Sequence, residues 1–534
     1  MGDQDRPTQS GFRRKLCLIL ALTMIAWAPS LQTSSWTADD PEVLLQSPVI
    51  TGALPATAAF DRDYTHHVGA SGQWRPAPAL SLRLDHWLYG SGSSRGWHLT
   101  NLLIHLATVA LAASLALKLF ARLPSLGLAF FAVHPLLTDS VSWASGRPSL
   151  LCLLFGLIGA HLIHRTISRR GHPLSVVAAA MVAISLPLLA KEDGLLFAAL
   201  IGFIAFKSPL KTRAFTATGV AIGVSAWLTA RGYALGEALP ATAEPLLSGA
   251  PFYERAITGL KVIAESLRLL LFPFGRPPRY DLESLPALLL SVAIITGTVG
   301  VLWFAHRSKA IPPAAWALPL FALAPFLHMI PLGEAFAPRF AHIALLFLIP
   351  LADDLLRRTV SPLPFAILAT LTGVTWNTTE HYQDAETYWL ATLHHSPASP
   401  VAWNALGLAR AEDGRQEEAI ASFKAAIAQD PSHSRAWSNL ARSLMAIGRE
   451  EEAASALEAA LRSGPKNPIA FTNWGLHLER AADYVGAREA FIRASQLRPG
   501  LPQAWAGIAR TERRLGREAE AEAAEQRARS LGTR

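Results

Sequence analysis

From residue 385 onward the chain repeats itself every 34 residues, and this period constrains its fold more than any other feature. Trp403, Trp437, Phe471 and Trp505 stand one period apart. So do Gly407, Ala441, Gly475 and Ala509, then Ala419, Ala453, Ala487 and Ala521, then Pro431, Pro465 and Pro499. Small residues at fixed positions let the two helices of a hairpin approach, an aromatic fills the gap, and Pro closes each unit. The register also extends backwards: Ala385, Trp389 and Pro397 lie one period before Ala419, Phe423 and Pro431. Residues 380–396 therefore read as half a repeat.

The period, with its order of aromatic, small residue, Ala and Pro, resembles the tetratricopeptide repeat, whose helical hairpins stack into a solenoid. Residues 398–534 are expected to form this all-α array, with 379–397 a half-repeat connector rigidly coupled to what precedes it. Upstream the composition changes. The chain is 51% hydrophobic and 16% charged, with mean hydropathy +0.27, whereas a soluble domain carries roughly 25% charged residues. Charges are sparse from Lys15 to about Trp376 and frequent after Glu380, which marks a membrane part followed by a water-soluble part.

The net charge of +8 raises the question of nucleic acid. However, the cations sit in short clusters between apolar runs, as at Arg13 to Lys15, Arg165 to Arg170, Lys207 to Arg213, Arg307 to Lys309 and Arg357-Arg358. That is how cytoplasmic loops look under the positive-inside rule, and it argues against a nucleic-acid partner. A spanning helix needs about 20 mostly apolar residues. The expected spans are 15–31, 97–120, 122–135, 148–166, 174–190, 193–207, 214–230, 285–305, 312–330, 339–356 and 360–376. With residues 1–14 cytoplasmic, these form a polytopic transmembrane domain over 15–378 of about 11 spans, and every basic cluster falls on one side.

Segment 254–273 is left uncounted. Its Ile257, Leu260, Ala264, Leu267 and Leu271 recur at helical spacing, with Lys261, Glu265 and Arg268 opposite, so it is expected to lie in the interface. Segments 32–96 and 231–284 are then long external loops, and Leu80, Leu84, Trp87 and Leu88 mark a second interfacial helix. The first apolar run, Leu16 to Ala28, could be a signal peptide, but Pro29 directly after Ala26-Trp27-Ala28 favours an uncleaved anchor. Cys17 and Cys152 read as buried small residues, not as a disulfide or a thiolate metal site.

Beyond the first span stand Asp39-Asp40-Pro41, an acidic pair that on its own reads as a solvated turn. The residues that follow change its weight. They are Trp74-Arg75-Pro76, Leu84 to Gly90, His98 to His105, Val133-His134-Pro135, Val141 to Arg147, Ala190-Lys191-Glu192 and Leu271 to Gly275. In this order they resemble the transmembrane and tetratricopeptide-repeat O-mannosyltransferases and their bacterial relatives, within the GT-C superfamily of lipid-linked-sugar glycosyltransferases. The resemblance covers nearly the whole chain, including the domain order.

What the resemblance implies is a mannose-like sugar moved from a polyprenyl-phosphate donor to an acceptor at the non-cytoplasmic face. It points to a bacterial inner-membrane protein with periplasmic repeats that bind a peptide or protein acceptor. The catalytic acid in the first external loop would be Asp39 or Asp40. A carboxylate there can take the proton of an attacking hydroxyl and stabilise an oxocarbenium-like transition state. Arg75, Arg147, Lys191 and Arg339 are the cations that would hold the donor phosphate; snorkelling to lipid headgroups is the plainer reading of each.

His134 and Glu192 are further site candidates, although a helix-terminal His is more often structural, and Glu192 beside Lys191 reads as its ion partner. His98, Asn101 and His105 form one stripe of a span, suited to interhelical hydrogen bonds. His66-His67 with Asp61 and Asp63 could bind a metal but are loosely spaced for it, so no metal site or cofactor is assigned beyond the donor substrate and the need for a divalent metal stays open. One departure is Glu334 to His342, where Arg339-Phe340 persist but the family's acid and second aromatic do not, which leaves a catalytically degenerate member open. The competing functions are a non-catalytic membrane-anchored repeat scaffold and a transporter, and the latter would place ionisable groups at the bilayer midplane.

Overall fold

A computed structural model describes residues 9–33, 35–37, 40–65, 72–120, 122–236, 250–280, 285–306, 318–319, 321–323 and 336–532. Its regular elements are all helical, with no strand among the described residues. The chain divides into two compact units, Met1–Asp384 and Ala385–Arg534.

In the first unit, α1 (Gln9–Trp27), α2 (Pro76–Tyr89) and α3 (Arg95–Phe120) are followed by two short helices, α4 (Ser125–Ala132) and α5 (Thr138–Val141). Next come α6 (Arg147–Ser168), α7 (Pro173–Leu188), α8 (Phe197–Ala205), α9 (Leu210–Leu235), α10 (Phe252–Leu271) and α11 (Leu288–His306). The unit closes with α12 (His342–Phe347), α13 (Ile349–Arg358) and α14 (Leu363–Glu380). Segments Ser10–Leu31, Arg95–Phe120 and Ala144–Ser168 are long and apolar enough to cross a membrane.

Three of the expected spans are not single helices. Within 122–135 the helix α4 has eight residues, about 12 Å of rise against a hydrocarbon core of about 30 Å. Segment 193–207 is split between the turn Glu192–Leu196 and α8, and 339–356 is broken between α12 and α13, where Pro350 enters the chain. Most of 312–330 lies outside the described residues. The short α4 has its amino end satisfied from far away: Asp353 Oδ1 accepts the backbone N–H groups of Leu126 and Gly127 at 3.0 and 3.3 Å. This distant carboxylate serves as a helix cap.

Small residues set the closest helix contacts. Gly219 and Gly223 of α9 lie against Val177, Ala180, Met181 and Ile184 of α7, where any side chain would collide. A small-xxx-small stripe of this kind lets two backbones pack in an apolar medium. Trp27 anchors α1, its indole donating to the Ala132 carbonyl at 2.9 Å and standing edge-on to His105.

Two readings of helix faces need correction. In α10 Glu265 is buried, whereas Leu260 and Leu271 are exposed. Arg268 and the Tyr280 hydroxyl donate to Glu265, so its charge is compensated inside. Cys17 is exposed on the outward face of α1, and only Cys152 is buried. Of the apolar residues marked on α2, Leu84, Trp87 and Leu88 are exposed, whereas Leu80 packs partly buried against the unit's interior.

The second unit opens with the single helix Ala385–His395, followed by four hairpins. The hairpins are 400–412 with 416–429, 434–446 with 450–463, 468–480 with 484–497, and 502–514 with 518–532. The period now has an atomic cause. Ala419, Ala453, Ala487 and Ala521 are fully buried. Gly407 abuts the Phe423 ring, and Gly475 the Phe491 ring, too closely to admit a side chain. Trp403, Trp437 and Trp505 each donate their indole N–H to the carbonyl of the Pro six residues earlier, Pro397, Pro431 and Pro499, at 2.8–2.9 Å. The aromatic and the Pro are thus joined by a bond that closes the turn between repeats.

Candidate functional site

Asp40 is fully buried at the amino end of the turn Pro41–Leu45. Its Oδ1 accepts the backbone N–H and the hydroxyl of Ser145 at 3.0 and 2.6 Å, and its Oδ2 accepts the Thr37 N–H at 3.3 Å. The segment after α1 is thereby tied to the turn that starts α6. Asp39 lies outside the described residues, as do His66, His67 and Glu334.

Two residues before Ser145 stands Trp143, and the Arg339 guanidinium lies 5.4 Å over its ring. The Arg339 carbonyl accepts from His342 Nδ1. His342 is within electrostatic range of Lys191 and Asp193. Lys191 pairs with Asp193 at 2.6 Å and contacts Ser149 Oγ at 3.4 Å. The partner read for it from adjacency, Glu192, instead takes Arg75, which donates to its Oε2 at 3.0 Å, while Glu192 Oε1 has no partner among the described residues. Residues far apart in sequence are thus paired: Asp40 with Ser145, Trp143 with Arg339, and Glu192 with Arg75, while Lys191 and Asp193 lie within electrostatic range of His342.

Arg147 is a correction to the set of phosphate cations. It is wholly buried, not at a rim, and its donors are already used. They bind the Asn101 side chain, Ser81 Oγ at 2.7 Å, Asp85 Oδ2 at 2.5 Å and the Trp97 carbonyl at 3.1 Å. Burial pushes the Asp85 carboxyl above its ordinary range, and the Arg147 charge works against that rise. The pair pins α2 and α3 to the start of α6. Asn101 completes the pin by donating to the Trp143 carbonyl at 2.8 Å. His105 contacts the Ala132 carbonyl at 2.9 Å, so these members of the stripe do bond between helices.

His134 is structural in its contacts. Its Nδ1 accepts the Leu136 N–H at 3.2 Å, so Nε2 carries the proton toward the Leu270 carbonyl at 3.3 Å, and its ring packs on Phe130. No group of three potential metal ligands occurs among the described residues.

Sequence reasoning missed one cluster. Asp139 Oδ1 accepts from Arg276 Nη2 at 2.9 Å and from the Tyr382 hydroxyl at 2.5 Å, and both Arg276 and Asp139 are buried. Arg276 Nε and Nη1 and Asp139 Oδ2 have no partner among the described residues. Nearby, burial and the neighbouring Glu265 push the Tyr280 phenol well above its ordinary range. The sequence signal was slight: one Arg in Phe274-Gly275-Arg276-Pro277, and one Asp past the end of an apolar run.

These features define a class: a membrane-type helical unit with buried and part-buried polar pairs, followed by a tetratricopeptide array. Tetratricopeptide repeat models match residues 378–434 and 410–472. Protein O-mannosyl-transferase Tmtc2 of Drosophila melanogaster is 30% identical over 168 residues, 29% of this chain and 18% of that protein. Protein O-mannosyl-transferase F38B6.6 of Caenorhabditis elegans is 26% identical over 209 residues, 36% of this chain and 29% of that protein. Protein O-mannosyl-transferase Tmtc1 of Drosophila melanogaster is 32% identical over 178 residues, 32% of this chain and 20% of that protein. The chain therefore spans less than a third of the length of these relatives. Among solved structures, the crystal structure of MamA covers 30% of the chain at 21% identity and TM-score 0.26. The chain is a relative of the transmembrane and tetratricopeptide-repeat O-mannosyltransferases.

Proposed function

We propose that the protein is a membrane glycosyltransferase that moves a mannose-like sugar from a polyprenyl-phosphate donor to a protein hydroxyl on the non-cytoplasmic face. The observation that carries this reading is the joining of Asp40 to Ser145 two residues from Trp143, over which Arg339 lies. An acid from the segment read as the first external loop and a cation of a late segment thus contact the same turn, which supports a transfer between a hydroxyl and a lipid phosphate.

In this reading Asp40, with Asp39 beside it in the chain, accepts the proton of the attacking hydroxyl. Arg339, Lys191 and Arg75 face the leaving phosphate, whose charge grows as the glycosidic bond breaks. Arg147 drops out of that role because its donors are taken. We assign sugar hydroxyls to Arg276 and Asp139, a neutral pair with spare donors and a spare acceptor that match a diol. The topology keeps eleven spans, with 122–135, 193–207 and 339–356 crossing as interrupted segments, as is tolerated where broken backbone is buried in protein. The repeats, periplasmic in this reading, hold the acceptor chain, and the setting is a bacterial inner membrane.

One observation favours the alternative, a non-catalytic scaffold: both Asp40 oxygens already accept hydrogen bonds. The test is sugar transfer to periplasmic proteins by wild type, Asp39→Asn and Asp40→Asn. Asn at position 40 can still accept from Ser145 but loses the acceptor that faces the Thr37 N–H, so the unfolding midpoint of the variant is measured beside its activity. Loss of transfer in at least one variant supports the enzyme; wild-type transfer in both, or none in the wild type, supports the scaffold.

A further inference from the structure

α3 and α6 run side by side in the same direction. Arg147 at the start of α6 touches Trp97 and Asn101 at the start of α3, and near their far ends His161 Nε2 meets Ser114 Oγ at 3.2 Å. Beyond that contact the helices open into a cleft of about 440 Å³ lined by Lys118, His161, His164, Arg165, Ser168 and Arg169. No carboxylate lines it, and its three cations form no ion pair among the described residues. At the end of α13 and at Arg122 the cations are paired instead. Arg357 pairs with Asp353 at 2.7 Å, Arg358 with Asp354 at 2.9 Å, and Arg122 with Asp353 at 3.7 Å. Uncompensated like charges held around one cleft repel each other, and an anion seated between them relieves that repulsion.

A second feature adjoins the first. Leu157, His161 and Arg165 follow at i, i+4 and i+8, on one face of α6. Leu157 lines an apolar groove with Leu115, Leu119 and Phe120 of α3 and Phe203 of α8. Reading along that face, an apolar groove passes within two turns into a basic cleft. A free phosphate needs only the cleft, whereas a phospholipid uses both, with an acyl chain in the groove and its phosphate among the cations.

We propose that the far ends of α3 and α6 form a binding site for an anionic membrane phospholipid. This uses none of the residues assigned to sugar transfer, so it stands or falls apart from that reading. The test is native mass spectrometry of the full chain in detergent, titrated with phosphatidylglycerol or phosphatidylcholine. The variants are Lys118→Gln/Arg165→Gln/Arg169→Gln and, as an equal loss of charge elsewhere, Arg13→Gln/Arg14→Gln/Lys15→Gln. The cleft variant is expected to lose between about tenfold and a hundredfold in phosphatidylglycerol affinity, and the control less than about threefold, from the contribution of each basic residue near an anionic headgroup. Equal retention of the two lipids, or equal loss in both variants, overturns the site. Displacement of phosphatidylglycerol by millimolar inorganic phosphate also overturns it, since the ligand would then be free phosphate.

Discussion

Replacing Ala482 by Gly should stabilise the repeat unit, even though it removes a side chain. Four turns join the helices within the hairpins, at Gly414, Gly448, Ala482 and Gly516, with φ of 80°, 79°, 61° and 76°. All four close in the same way. The next residue's N–H bonds the carbonyl five back, Arg415 to Arg410, Arg449 to Leu444, Asp483 to Leu478 and Arg517 to Glu512, at 2.9–3.0 Å. This is the left-handed helix ending that glycine makes readily. A Cβ in that conformation costs about 1–2 kcal/mol. A glycine in turn adds freedom to the unfolded chain, which takes back about 0.4–1 kcal/mol. Ala482 is exposed, so no packing is lost and the net gain is about 0.5–1 kcal/mol. For a unit of this size that raises the melting temperature by about 1–4 °C. Thermal unfolding of a fragment spanning 385–534, followed by circular dichroism, reads the shift. The converse change, Gly448→Ala, should lower it. If Ala482→Gly leaves the midpoint unchanged or lowers it while Gly448→Ala lowers it, the conformational argument is refuted.

Asp85→Ala should strand the buried Arg147 charge and destabilise the first unit by about 3–5 kcal/mol, read as a lower unfolding midpoint in detergent. Trp437→Phe keeps the ring but removes the indole bond to the Pro431 carbonyl, and should cost the 385–534 fragment about 1 kcal/mol in denaturant titration. Gly223→Leu should separate α7 from α9, so cross-linking between cysteines introduced on their facing turns should fall. Hydrogen bonds from Arg415, and then from Arg410, hold the Glu386 carboxyl below its ordinary value of 4.5. The stability this contributes is fully present above that value and is lost as pH falls through the lower folded one. Glu386→Gln should accordingly flatten the acid side of the fragment's stability profile, measured from pH 3 to 6.

The sequence by itself determined the repeat array, because each hairpin is built from contacts within one period and the small, aromatic and Pro positions recur in register. It also determined that the first unit is of membrane type, since sparse charge over hundreds of residues is a bulk property. The exposed Leu84, Trp87 and Leu88 of α2 were legible for a similar reason: they follow from local helical spacing.

What only the tertiary structure decided were the pairings of isolated polar residues. Lys191 takes Asp193 and leaves Glu192 to Arg75, a choice that adjacency cannot make because the loop backbone sets which side chain reaches which cation. Arg147 looked like a rim cation and is instead an internal pin, its partner Asp85 62 residues away. Glu265 sits on the buried face of α10 because Tyr280 and Arg268 meet it there, and Arg276 finds Asp139 137 residues away. A charge inside an apolar unit is tolerated only where its partners arrive, and their arrival depends on how distant helices pack. Periodicity is written in the neighbours of each residue, whereas a buried polar site is written in residues that become neighbours only on folding.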